Sequence, residues 1–409
     1  MSRARSFLAL PGTARAHWLF SLLLVACTPA SAHIKWFAEV QVRDAPRPVV
    51  AVMGQPGFVA LAACALLTMM LVASTEAWLR RRTVGVPGRA LHGVVSDRIA
   101  LRVIRIGTGL FFLANALYFA DKPVLLTPEL TAGAPWTTVL QVATGALALL
   151  GRPRLAAMGL VALFGQAIAQ YGAFHLIDYT LFLGVAACLW LSDAPAALQR
   201  RALTALRLTV GLSLLWGAIE KWMYPQWTFP LLCGDARALL MGLTPDFFMQ
   251  GAGMIEFCTA TAIVVGGVAG RLACVLLLAL MIAAMPMFGP IDVIGHAPFV
   301  LGLAVLACVR NGVADRFGTA DTHRHVLRWA MAFGAMLATL PALYVAAHGL
   351  LIEAGDWTWL PLSVALPGVL LVAWPLTPRS PIHWRRPPPA AWKPTRSPQV
   401  GWAASRQGG

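Results

Sequence analysis

The chain has 409 residues, of which 58% are hydrophobic and 12% charged, and its mean hydropathy is +0.70. A water-soluble fold of this length cannot hide that much apolar surface, so the composition excludes a soluble globular protein and makes lipid the solvent. The net charge of +15 would suit a nucleic-acid binder, but the basic residues sit in short clusters between apolar runs. That is the pattern of cytoplasmic anchors, and no nucleic-acid partner is expected.

The N-terminus reads as an export signal. Arg3, Arg5 and Arg15 precede an apolar core from Trp18 to Ala26, and Ala30-Ser31-Ala32 supplies a small-residue cleavage site. Cleavage there makes residues 1–32 a signal peptide and His33 the first mature residue. Leu24-Val25-Ala26-Cys27 also has the form of a lipoprotein box, so lipidation at Cys27 and an uncleaved anchor are the competing readings. A mature N-terminal His33 would offer its amine and imidazole together, a chelate suited to copper. The plainer reading is an interfacial anchor in a periplasmic segment, 33–55.

At about 20 apolar residues per crossing, the rest of the chain predicts an all-α polytopic protein with about eleven transmembrane helices. The expected spans are 56–78, 101–120, 135–151, 155–172, 175–192, 207–223, 248–269, 272–289, 292–309, 326–349 and 357–376. Arg80 to Arg82, Arg98 to Arg105, Arg152 with Arg154, Arg200 to Arg207, Arg271, Arg310 with Arg316, and Arg324 with Arg328 all fall on one side of this topology. The positive-inside rule makes that side the cytoplasm of a bacterial inner membrane, with the mature N-terminus periplasmic and the C-terminus cytoplasmic. His323 and His325 are expected in a solvated cytoplasmic loop and His348 at the interface. The tail 377–409, rich in Pro and Arg, is expected to be disordered.

One segment occurs twice. Residues 105–123 (RIGTGLFFLANALYFADKP) align without gaps with 207–225 (RLTVGLSLLWGAIEKWMYP). Arg105, Gly109, Leu110, Leu113, Ala116 and Pro123 match Arg207, Gly211, Leu212, Leu215, Ala218 and Pro225. Leu126-Thr127-Pro128-Glu129-Leu130 recurs as Leu243-Thr244-Pro245-Asp246-Phe247, Gln141 with Thr144 as Glu256 with Thr259, and LFLGVA (181–186) as FVLGLA (299–304), which sets Asp178 opposite His296. A repeat at this spacing predicts two four-helix bundles in the same orientation, 99–195 and 196–312. Before them lie a helix and cytoplasmic loop, 56–98, and after them two helices, 313–376.

The unit resembles the DoxX/DoxD-like membrane proteins. The likeness is carried by Arg207, Gly211, Glu220-Lys221…Pro225, Glu256, Gly266-Gly267…Gly270-Arg271 and Gly289-Pro290…Gly295-His296, and it covers roughly 100–310 as two copies. The second copy is the closer match, because the first has Phe119 and Gln141 where the second has Lys221 and Glu256. Some relatives of this type are subunits of thiosulfate:quinone oxidoreductase, so the resemblance implies a membrane subunit with quinone or a redox protein as its partner.

The residues themselves point to one polar place. A carboxylate in hydrocarbon costs a few kcal/mol and therefore faces a bundle interior and a partner. Glu256, about 12 Å into its span at 1.5 Å per residue, has Lys221 and His296 on neighbouring helices. With Glu220 and Asp292 these residues would make a polar site open to the periplasm. It reads as a proton or substrate site, as a packing ion pair, or as a metal site. His175 and Asp178, with Gln141, Gln166 and Gln170 nearby, form a weaker counterpart in the first copy, read as polar residues bonding across helices. None of the seven cysteines forms a C-x-x-C pair, and no haem, Fe–S, nucleotide or zinc motif is present. No cofactor follows from the residues alone. Three functions stay open: a quinone-linked redox subunit, a transporter for a small solute or metal ion, and a non-catalytic scaffold or assembly protein.

Overall fold

The computed structural model describes residues 44–82, 94–134, 136–234, 236–309 and 322–353. The signal segment, His33, span 357–376 and the tail lie outside these residues. The chain is an all-α polytopic membrane protein. In order its helices are α1 (Val49–Met53), α2 (Pro56–Arg82), α3 (Asp97–Tyr118), α4 (Trp136–Leu149), α5 (Pro153–Tyr171), α6 (Ala173–Leu176), α7 (Leu181–Trp190), α8 (Ala196–Met223), α9 (Phe229–Cys233), α10 (Pro245–Val265), α11 (Gly267–Phe288), α12 (Pro290–Cys308) and α13 (Thr322–His348).

Each expected span on the described residues overlaps helix, but 175–192 is divided between α6 and α7, and 248–269 runs past the end of α10 into α11. Among the described residues seven helices are long and apolar enough to cross a membrane, and α6 with α7, bent by 64°, counts as an eighth if the pair is one span. α4 has only 14 residues, about 21 Å at 1.5 Å per residue, which is short for a 30 Å hydrocarbon layer. α8 begins at Ala196 rather than 207, since Pro195 caps it and its first turns carry the polar Gln199, Arg200 and Arg201. Between α10 and α11 the chain breaks at Gly266 and Gly267, both with positive φ.

The repeat is visible in the packing. α3 packs on α4, α4 on α5, α5 on α7 and α3 on α7; likewise α8 packs on α10, α10 on α11, α11 on α12 and α8 on α12. The bundles meet through their first and fourth helices, with α3 against α12, α7 against α8, α3 against α8 and α7 against α12. This is the contact pattern of a pseudo-two-fold pair. α2 and α13 pack on each other and against α10 of the second bundle. α8 and α10 are therefore the most enclosed helices, while α2 and α13 turn most of their surface outward. Leu67, Leu71, Leu117, Val139 and Met158 are exposed, as suits side chains that face lipid.

The matched arginines make the same contact in each bundle. Arg105 donates to the carbonyls of Ala148 (2.8 Å) and Leu149 (3.5 Å). Arg207 donates to Ile263 (3.4 Å) and, more closely, to Val264. Each side chain leans toward its own helix N-terminus and so reaches the last turn of the antiparallel neighbour. There it meets carbonyls with no partner inside their helix, at the negative end of the dipole. Gly151 and Gly266, at φ 75° and 84°, follow those turns in the left-handed conformation that a side chain would strain.

Candidate functional site

Lys221 and Glu256 come together. Lys221 Nζ lies 2.6 Å from Glu256 Oε2, with side-chain exposures of 13% and 11%, and Nζ also reaches the Gly217 carbonyl at 3.4 Å. Helix geometry dictates the meeting. Lys221 is near the C-terminal end of α8 and leans back into the bundle, while Glu256 on α10, which runs the other way, leans outward toward it. Glu256 stands eleven residues after Pro245, the first residue of α10, so it is about 16 Å along the helix, deeper than the sequence indicated. Trp222, next to Lys221 in the sequence, is buried against α2 and α10. Its indole donates to the Gln250 carbonyl at 3.2 Å, and its ring packs against Phe58 at 5.0 Å and Phe257 at 5.3 Å.

Asp292 and His296 form a second pair one turn apart on α12. His296 Nδ1 is 3.1 Å from Asp292 Oδ1 and 3.2 Å from the Asp292 carbonyl, and both residues are buried. Glu220, beside Lys221 in α8, is half-buried. Four of the five expected residues thus form two pairs. Among the described residues no group of three or more His, Cys, Asp or Glu side chains could hold a metal ion.

The first bundle uses the same positions differently. Gln141, the counterpart of Glu256, donates its amide to the carbonyls of Val124 and Leu125, both at 2.8 Å. Gln170 and Tyr171 donate to the Thr131 carbonyl at 2.9 and 2.8 Å. Together they hold the 119–134 loop, whose Leu125, Leu126 and Leu130 are fully buried, inside the mouth of the bundle. A carboxylate at 141 could not donate to those carbonyls.

Three carboxylates important to the structure were not singled out from the sequence. Glu129 accepts a hydrogen bond from Tyr179 and lies 4.0 Å from His175. Asp246, its counterpart in the repeat, pairs with Arg47 at 2.6 Å and with Gln250 at 2.9 Å. Glu76 accepts from the Val268 N–H at 3.0 Å and lies 3.4 Å from His325. The expectation for His325 is corrected accordingly. It is a buried residue of α13 and not part of a solvated loop, because Glu76 and the Trp329 ring provide a packed polar partner and an aromatic wall. His348 is likewise buried rather than interfacial, packed against Phe174 at 5.3 Å and Tyr224 at 6.2 Å.

The residues before α2 are tied to the second bundle. The Arg47 N–H donates to the Met223 carbonyl at 3.1 Å, and the Tyr224 hydroxyl donates to the Asp44 carbonyl at 3.0 Å. Comparison with protein-family models, with curated proteins and with solved structures gave no match.

Proposed function

We propose that this chain is a bacterial inner-membrane subunit of a quinone-linked redox system, with a proton-handling site in its second bundle and its basic end in the cytoplasm. The observation that carries the reading is the Lys221–Glu256 pair, a carboxylate in the middle of α10 and an ammonium that reaches it from the last turn of α8, 2.6 Å apart. Ionisable groups kept at that depth mark proton or substrate paths. Lys221 is a donor for a quinone oxygen, and its chain neighbour Trp222 packs with Phe58 and Phe257 in an aromatic cluster between α2, α8 and α10. A quinone supplies two-electron, two-proton chemistry when bound. Lys221 and Glu256 would orient its head and pass protons between the site and the outer face. The DoxX-like resemblance adds to this reading. The alignment of the basic clusters at one end supports the orientation.

The experiment is purification of the wild-type protein and Glu256→Gln in native lipid, with extraction of quinones and mass spectrometry of copurified proteins. The reading expects quinone or a redox partner with the wild type, and reduced quinone content in the variant. Neither quinone nor a redox partner in the wild type would sink it. A second reading, transport of a small solute, draws on the two parallel bundles meeting at a pseudo-two-fold interface, since repeats so arranged often place a substrate site between them. Substrate-dependent uptake into proteoliposomes would select it.

A further inference from the structure

The fourth helix of the first bundle is interrupted where that of the second is not. Ala173–Tyr179 and Leu181–Trp190 bend by 64° about Thr180, whereas α12 runs unbroken from Pro290 to Cys308. Ser213 of α8 stabilises the break, accepting from the Leu181 N–H at 3.0 Å and bonding the Thr180 hydroxyl at 3.1 Å. Interrupted helices within membrane proteins are tolerated where they are buried in protein or line a polar site, and transporters build ion sites on them.

The short segment before the break carries three buried titratable residues. His175, Asp178 and Tyr179 are all buried. Glu129, from the loop folded into the bundle mouth, accepts the Tyr179 hydroxyl and lies 4.0 Å from His175 Nε2. Tyr171 of α5 flanks His175 at 6.0 Å between ring centres. From α13, Tyr344 and His348 pack on Phe174, and Tyr224, which follows α8, lies 6.3 Å from Tyr344 between ring centres. Neither the Lys221–Glu256 site nor the amide scaffold of Gln141 and Gln170 accounts for this group.

We propose that Glu129, Tyr179 and His175 form a second proton-binding site, in the first bundle, built on the broken helix. A proton arriving from the aqueous side adds to the Glu129 carboxylate to give the acid. Transfer to His175 breaks that O–H bond and forms N–H at Nε2, leaving a carboxylate and an imidazolium, and a second proton from the aqueous side restores the Glu129 acid. Tyr179 keeps its own proton throughout and holds the receiving oxygen in place. Approach by about 1 Å brings Nε2 within hydrogen-bond reach of Oε1. The site does not depend on the quinone reading.

The test is pH-difference infrared spectroscopy of the full-length protein in lipid nanodiscs, reading the stretch of protonated carboxyl groups. The wild type should gain that signal on acidification, and Glu129→Gln should lose one component of it while keeping its helical circular dichroism. Tyr179→Phe, which removes only the hydroxyl, should shift the same component, and Glu256→Gln should leave it intact. A Glu129→Gln spectrum that superimposes on the wild type would overturn the proposal. If Glu129→Gln does not fold, an unshifted component in Tyr179→Phe overturns it. Loss of quinone binding with this component intact counts only against the second-bundle reading.

Discussion

Lys221 and Glu256 face each other across α8 and α10 at 2.6 Å, each leaning toward its own helix N-terminus. Removing one charge leaves the other in a largely buried setting, where breaking an ion pair costs about 3–5 kcal/mol. Their residual exposure of 13% and 11% puts the expected value at the low end of that range. Lys221→Met and Glu256→Gln should each destabilise the protein in nanodiscs, and the double variant should lose less than the sum. Denaturant unfolding of all four proteins gives the coupling. Strictly additive losses would mean that the two charges do not interact.

The arginines matched in the repeat should rank by burial. Arg207 is buried and Arg105 half-buried, though both donate to the end of the second helix of their bundle. Charged hydrogen bonds are worth about 1.5–3 kcal/mol, and orphaned carbonyls in lipid add to the loss. Arg207→Ala should therefore lower the melting temperature more than Arg105→Ala. Arg207→Lys should recover only part of it, because one ammonium cannot reproduce the guanidinium fork. Equal effects of the two alanine variants would contradict the ranking.

Much of this arrangement was legible in the sequence. The matched segments, read from Arg105 and Arg207 and from Gln141 and Glu256, anticipated the shared order of helix contacts, because a duplicated apolar pattern has to bury the same faces. Lys221 and Glu256 stood out as charges in apolar helices. Glu129 did not, because a carboxylate in a polar loop carries no burial signal until the loop folds into the bundle. Glu76 and His325 were hidden by basic neighbours that made both look solvated. The break at Thr180 has no glycine or proline to mark it, and it rests on a hydroxyl from another helix, Ser213. Pro298, aligned with Thr180, would sooner have placed a break in α12, which stays continuous.

Glu76 joins the flanking helices to the second bundle. It accepts from Val268 in the first turn of α11 and faces His325 on α13. Glu76→Gln keeps an acceptor for Val268 but removes the charge opposite His325, whereas Glu76→Ala removes both. A buried donor left without its partner costs about 1–3 kcal/mol, so the alanine variant should be the less stable of the two. Denaturant midpoints in nanodiscs should fall in the same order. Identical midpoints for the two variants and the wild type would rule out this clasp.

Two glycines of α10 provide an internal control on helix approach. A Cβ at Gly253 would lie 2.3 Å from Trp222 Nε1 and 2.9 Å from the Ala218 carbonyl, while one at Gly251 meets nothing within 4 Å. The carbonyl belongs to a helix backbone that cannot yield locally, so Gly253→Ala should cost about 1–3 kcal/mol, the usual range for overpacking. Gly251→Ala should be neutral or slightly stabilising, since alanine favours a helix interior. A Gly253→Ala protein as stable as the wild type would mean that α8 and α10 are not in contact at this level.

The asymmetry of the two bundles is tested most directly by exchanging their divergent residues. Gln141 spends its amide hydrogens on two loop carbonyls, at Val124 and Leu125. Gln141→Glu would put a carboxylate's lone pairs against two carbonyl oxygens in a fully enclosed place, where an unpaired buried charge costs at least about 3 kcal/mol. The aligned position of the lysine that would answer it is Phe119. The reverse exchange, Glu256→Gln, leaves a neutral acceptor for Lys221 and should be milder than Gln141→Glu. A Gln141→Glu, Phe119→Lys double variant should regain stability if the first bundle can still host the pair seen in the second. Failure of that rescue, with Gln141→Glu alone unfolded, would show that the loop of residues 119–134 has taken over the space the pair would need. Denaturant midpoints of the four proteins in one lipid decide between these outcomes.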